Sequence, residues 1–126
     1  MRGTVLVVDD SAMMRKVVVR TLQLAGLTFE TVLEAADGSQ ALEHLRQQTV
    51  QLIMCDINMP VMDGLELLKR ITQQGFAIGV PIVMVTTEGS ESQVLQAIAA
   101  GARGYIRKPF SPTQIASSVI PLLAAE

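Results

Sequence analysis

Three carboxylates stand at the ends of two apolar runs. Val5-Leu6-Val7-Val8 closes on Asp9-Asp10, and Leu52-Ile53-Met54-Cys55 closes on Asp56, which opens the run Asp-Ile-Asn-Met-Pro-Val-Met-Asp-Gly over 56–64. Four apolar residues in a row read as a strand covered on both faces, as in a parallel sheet. Open α/β folds gather their reactive groups beyond the carboxyl ends of such strands. Two strands therefore deliver Asp9, Asp10 and Asp56 to one edge of one sheet. Two carboxylates ~5 Å apart repel by roughly 3 kcal/mol at an effective dielectric of ~20, so three together call for a metal or a shared proton. The candidate ligands are all oxygens, which favours hard Mg2+ over Zn2+. Mg2+ held by one or two carboxylates and waters is a usual partner of phosphoryl chemistry. Singly, each acid is an ordinary strand-end cap; three converging after two buried strands are more than that.

Those acids need a frame, and the chain alternates short apolar runs with helical periodicity. Strands are expected near Thr4–Val8, Thr31–Ala35, Leu52–Cys55, Ile82–Thr86 and Gly104–Ile106. Between the first two, Met14, Val17, Val18, Thr21, Leu22 and Ala25 recur at helical spacing, with Arg15, Lys16 and Arg20 off that face. Leu42 and Leu45 mark a second helix, and Leu65, Leu68 and Ile71 a third. Val94, Ala97 and Ile98 mark the fourth, and Ile115, Val119 and Leu122 the fifth. Alternating βα units imply a parallel sheet with helices on both faces, joined by right-handed crossovers. Capping boxes are expected from Asp37, Asp63, Ser90 and Ser111, each followed three residues later by Glu or Gln. Asp37 and Asp63 accordingly read as helix caps and not as metal ligands. His44, alone among polar residues, reads as a solvated surface side chain.

Composition narrows the function further. A chain of 126 residues is one domain with room for a core. The formal charge of −2, with both signs interspersed, gives no nucleic-acid footprint. No apolar run approaches a membrane span, and the first strand begins too soon after Met1 for a signal peptide. Cys55 is the single cysteine. It rules out a disulfide framework, fits a reducing cytoplasm and reads as a core filler.

Read together, four elements resemble the signature of response-regulator receiver domains, above all the single-domain regulators of chemotaxis. They are Asp9-Asp10, the 56–64 run, Val85-Thr86 after the fourth strand, and Tyr105-Ile106-Arg107-Lys108-Pro109-Phe110. Each motif alone is common, but four in order at five-strand spacing are specific, and the likeness covers essentially the whole chain. The resemblance implies an α/β, doubly wound, flavodoxin-like (βα)5 fold with sheet order 2-1-3-4-5. It also implies one receiver domain over 1–126 with no output domain.

By the same resemblance, Asp56 is the nucleophile that takes a phosphoryl group from a phosphohistidine on a sensor histidine kinase. Asp9, Asp10, Asp56 and the backbone carbonyl of Asn58 would surround Mg2+. Lys108 would pair with one phosphoryl oxygen and the Thr86 hydroxyl would donate to another, a division that suits a reaction needing mainly positioning and charge stabilisation. Thr86 would then swing inward and vacate space for Tyr105, and the Lys108-Pro109 peptide would be cis. Such a protein is a phosphoacceptor that assists its own phosphorylation and autodephosphorylation, not an enzyme. It signals to a downstream protein through the face of the fourth helix, fifth strand and fifth helix. Asn58 and Glu88 would flank the water that hydrolyses the phosphoryl group. Taken one at a time, Thr86 is an ordinary strand residue, Lys108 a surface charge and Tyr105 a packing residue.

The chain departs from the family pattern in places. Thr87 stands where a small residue is more usual and narrows the site entrance. Ser90-Glu91 stands where relatives that bind the flagellar switch often carry lysines. Gly101-Ala102-Arg103-Gly104 lacks the acids common in dimerising receivers, which argues for a monomer. Pro121 falls within the last helix and is expected to kink or end it about a turn early. Two other functions meet obstacles. A Mg2+-dependent aspartyl-phosphate phosphatase wants a second acid two residues after the nucleophile, where this chain has Asn58. A flavin carrier wants a phosphate loop after the first strand, where two carboxylates would repel phosphate. A receiver cut from a larger regulator or hybrid kinase differs only in context.

Overall fold

The computed structural model describes residues 3–76, 79–87 and 90–124. Five strands alternate with five helices: β1 Thr4–Val8, α1 Ala12–Leu24, β2 Thr31–Ala35, α2 Gly38–Gln47, β3 Leu52–Asp56, α3 Gly64–Gln74, β4 Ile82–Thr86, α4 Glu91–Ala99, β5 Gly104–Arg107 and α5 Pro112–Ala124. The strands form one parallel sheet in the order β2-β1-β3-β4-β5. This is the doubly wound order that the resemblance implies. β3 and β5 each run one residue beyond the span expected from the apolar runs, so Asp56 itself belongs to β3.

Period-two alternation divides the core into two layers. Leu6, Val8, Ile53, Cys55 and Met84 face α2, α3 and α4, meeting Leu42, Leu67, Leu68, Ile71 and Ala97. Val5, Val7, Leu52, Met54, Val83 and Val85 face α1 and α5, meeting Val18, Leu22, Ile115 and Val119. Each such aliphatic side chain contributes ~1.5–3 kcal/mol when fully buried. A one-residue slip of β1, β3 or β4 would exchange the two layers wholesale, so their register is fixed tightly. Val17, expected on the buried stripe of α1, is exposed, because Val18 and Leu22 already fill the space against the sheet.

The helix starts follow the expected caps. The side chains of Asp37, Asp63, Ser90 and Ser111 each accept the N–H three residues on, and Ser11 does the same for Met14 in α1. Among the described residues only Ser111 receives the return bond of a full capping box, from its own N–H to Gln114 Oε1 at 2.8 Å. Gln40 takes the Ala36 N–H instead, and Glu66 pairs with Arg70 at 3.2 Å.

Two further expectations need correction. His44 is half-buried, and its Nε2–H donates to the Glu34 carbonyl at 2.9 Å. It thereby satisfies an outward-facing carbonyl of the edge strand β2, which would otherwise be open to another chain. α5 does not stop early at Pro121 but continues to Ala124. Pro121 removes the N–H that would serve the Ser117 carbonyl, yet both residues are exposed, so water can take that bond.

Candidate functional site

One line of register across the sheet assembles the site. Val8 lies opposite Cys55, so the next residues, Asp9 and Asp56, leave neighbouring strands side by side. Asp56 lies opposite Val85, which sets Thr86 beside it, and Thr86 lies opposite Arg107, after which comes Lys108. The Lys108 N–H donates to the Thr86 carbonyl at 2.8 Å, and the Lys108-Pro109 peptide is cis. Lys108 Nζ donates to Asp9 Oδ2 at 2.8 Å and lies 3.7 Å from Asp56 Oδ2. One carboxylate oxygen from each of Asp9, Asp10 and Asp56 lies within 4.8 Å of the others.

Burial and charge shape these acids differently. Asp9 and Asp56 are buried and Asp10 is exposed. The Asp56 carboxyl is held above its ordinary value of 3.8, first by burial and then by the neighbouring Asp9 charge. The Lys108 ammonium and the backbone N–H groups of Asn58 and Ile57 oppose that rise. A single lysine cannot balance three acids, so the cluster keeps an excess of negative charge facing the solvent side of Asp10. The donors suit a hard dication. The Cys55 thiol does not join the ligand set: it is buried, burial pushes it far up, and its S–H donates to the Asp56 carbonyl at 3.1 Å.

The expected switch pair shares one face of the sheet. Tyr105 lies opposite Met84, two residues before Thr86 on β4, and packs partly buried against the layer that includes α3 and α4. Thr86 is fully buried and Thr87 is exposed beside it. Glu88 lies outside the described residues. Asp37 and Asp63 cap α2 and α3 and do not join the acid cluster.

Three supporting residues escape a reading of the sequence. Arg15, placed only off the apolar stripe of α1, donates from Nη1 to the Asp9 carbonyl at 2.6 Å and from Nε to Glu34 at 2.8 Å. Its position five residues after Asp10, on the first turns of α1, is the signal that could have found it. Gly64 donates its N–H to the Ile57 carbonyl at 2.7 Å, and a Cβ there would collide with the Asp56 carbonyl oxygen. Val61 has a positive φ of 69° at the centre of a turn closed by Met62 N–H to the Pro60 carbonyl, 2.7 Å.

A buried nucleophilic carboxylate, an ammonium within reach and two further acids can hold a dication and receive an electrophilic phosphoryl group. Comparison with known proteins bears on the same region. Residues 5–120 match the family described as response regulator receiver domain. The chain is 43% identical over 108 residues to chemotaxis protein CheY1 of Helicobacter pylori, covering 85% of this chain and 86% of that one. It is 44% identical over 108 residues to the chemotaxis protein CheY homolog of Campylobacter jejuni, covering 85% and 82%. The structure of CheY4 of Vibrio cholerae superposes with a TM-score of 0.83 at 38% identity, covering 97% of this chain and 99% of that one. Receiver domains of this kind bind Mg2+ at an acidic pocket, take phosphate from histidine kinases and act on downstream targets. Because the family match spans residues 5–120 and two relatives are 43% and 44% identical over most of the chain, the chain belongs to the response-regulator receiver domain family.

Proposed function

We propose that the protein is a phosphoacceptor of two-component signalling, accepting a phosphoryl group from a sensor histidine kinase on Asp56 in a chemotaxis pathway or a related one. The observation that carries this reading is Lys108 Nζ set between Asp9 and Asp56 at the buried end of β3. Asp9, Asp10, Asp56 and the Asn58 carbonyl would hold Mg2+. When bound, the ion supplies the positive charge that three crowded acids and a phosphoryl group require. The Asp56 carboxylate then attacks phosphorus in line as the bond to the donor histidine nitrogen breaks. Lys108 pairs with one equatorial oxygen and Thr86 donates its hydroxyl to another. A new dianion beside Thr86 draws that side chain toward it and opens space on the shared sheet face for Tyr105. The altered surface of α4, β5 and α5 then binds a partner protein. Exposed Leu95 and Ile98 on α4 and Ile120 on α5 supply apolar contact area there. The product of the step is a phosphorylated protein and not a released metabolite, so the chain acts as a switch.

NMR with beryllofluoride, a stable phosphoryl mimic, tests the reading. With Mg2+ present, amide shifts should spread from Asp56 through Thr86 and Tyr105 to α4 and α5. Thr86→Ala should still bind the mimic but confine the shifts to the acid pocket. Equal spread in both proteins would remove Thr86 from the switch.

A further inference from the structure

Asp9 is fixed at every polar atom. Its N–H donates to the Ala35 carbonyl at 3.0 Å, Oδ1 accepts the Ser11 N–H at 2.9 Å, and Oδ2 accepts the Lys108 ammonium at 2.8 Å. Its carbonyl accepts Arg15 Nη1 at 2.6 Å. That carbonyl belongs to the peptide joining Asp9 to Asp10, so the bond sets the plane from which Asp10 projects. Asp10 is exposed, and among the described residues no hydrogen bond or ion pair holds its carboxylate. Its placement in the cluster therefore depends on its backbone.

Arg15 is itself held. Its side chain is only 16% exposed and its Nε donates to Glu34 Oε1 at 2.8 Å. Glu34 lies on β2, and its carbonyl accepts the His44 Nε2–H at 2.9 Å. The Glu34 carboxylate orients the planar guanidinium and also neutralises it. The pocket thus gains a charge-assisted hydrogen bond without a free cation that would compete with a metal ion. A lysine could not replace Arg15, because one flexible ammonium lacks the fork that spans both acceptors.

We infer that Arg15 is a positioning residue for divalent-cation binding: it orients Asp10 through the Asp9–Asp10 peptide, and Glu34 locks it in place. The inference rests on the proposed Mg2+ site. Calorimetric titration of Mg2+ into the wild type, Asp10→Asn, Arg15→Met, Glu34→Gln and the Arg15→Met/Glu34→Gln double variant tests it. Wild type should bind and Asp10→Asn should not. Arg15→Met should bind about tenfold more weakly, a loss typical of groups that orient a metal ligand. Glu34→Gln should weaken binding too, and the double variant should be no worse than Arg15→Met, since both changes break one tie. General destabilisation would instead give additive losses. In metal-free NMR spectra the Asp10 amide should move in both single variants while the Lys108 amide stays in place. Wild-type affinity in Arg15→Met, or additive losses in the double variant, would overturn the positioning role and leave the metal site standing. A wild type that binds no Mg2+ would overturn the site and this role together. Should Arg15→Met not fold, Glu34→Gln decides: unchanged affinity and an unmoved Asp10 amide overturn the inference, and weaker binding with a moved amide supports it.

Discussion

Asp56 is charged at a cost. Its folded carboxyl lies above the ordinary 3.8, chiefly through burial and then through Asp9. The folded state therefore holds a proton on Asp56 more tightly than the unfolded chain does. The resulting stabilisation is complete below 3.8 and is lost as pH rises through the raised value, where the carboxyl becomes a buried anion. Asp56→Asn removes that anion while keeping its shape, and Lys108 keeps its shorter partner, Asp9. Thermal melts should show the variant more stable than wild type at pH 7, with the advantage shrinking as pH falls toward 3.8. Millimolar Mg2+ should raise the wild-type midpoint and narrow the same gap. A variant less stable than wild type at pH 7 would contradict this account of the pocket. Val61 makes the opposite kind of sacrifice. A β-branched residue at φ 69° and 85% exposure has strain and little packing to offset it, a cost of ~1–3 kcal/mol. Glycine relieves the strain but gives back roughly 1 kcal/mol through its freer unfolded chain. Val61→Gly should therefore raise the melting temperature by a few degrees, about 1 kcal/mol. No rise would mean that the turn is unstrained.

At the scale of elements, the start of α3 sits hard against the end of β3. Gly64 is buried, and an added Cβ would meet the Asp56 carbonyl oxygen, the Ile57 Cα at 2.8 Å and the Met84 Cε at 2.9 Å. Two of those three atoms are backbone and cannot turn aside. Gly64→Ala should destabilise the protein by ~1–3 kcal/mol, the range for overpacking, and displace Asp56 from Lys108. Chemical denaturation measures the first effect, and weaker binding of beryllofluoride reports the second. The caps on either side were legible, because Asp or Ser followed three residues later by Glu or Gln states a local rule. Gly64 was legible only as part of such a cap. Its close approach to Asp56 depends on the packing of a helix against a strand end, which no local pattern encodes. The turn at Val61 was hidden for a related reason: Pro-Val-Met holds no Gly or Asn to announce a positive φ. Pro121 misled because the lost N–H costs most where it leaves a buried carbonyl without a donor, whereas Ser117 and Pro121 are both exposed.

Across the whole molecule, Asp9, Asp56, Thr86 and Lys108 meet because four adjacent strands end in register. The strands could be read from their apolar runs and the acids from their place at the ends. The order 2-1-3-4-5 could not, since periodicity does not say which strand pairs with which; it came from the family resemblance and agrees with the sheet. The Arg15–Glu34 tie was likewise out of reach, as it joins α1 to an edge strand 19 residues away. What the sheet delivers is a buried carboxylate, Asp56, 3.7 Å from the Lys108 ammonium and grouped with two further acids, and that residue is the proposed phosphoacceptor. Mass spectrometry of wild type and Asp56→Asn after exposure to acetyl phosphate tests it most directly. Wild type should gain one phosphoryl adduct with Mg2+ and none after chelation, and the variant should gain none under either condition. An adduct on Asp56→Asn to the same extent as on wild type would contradict the account.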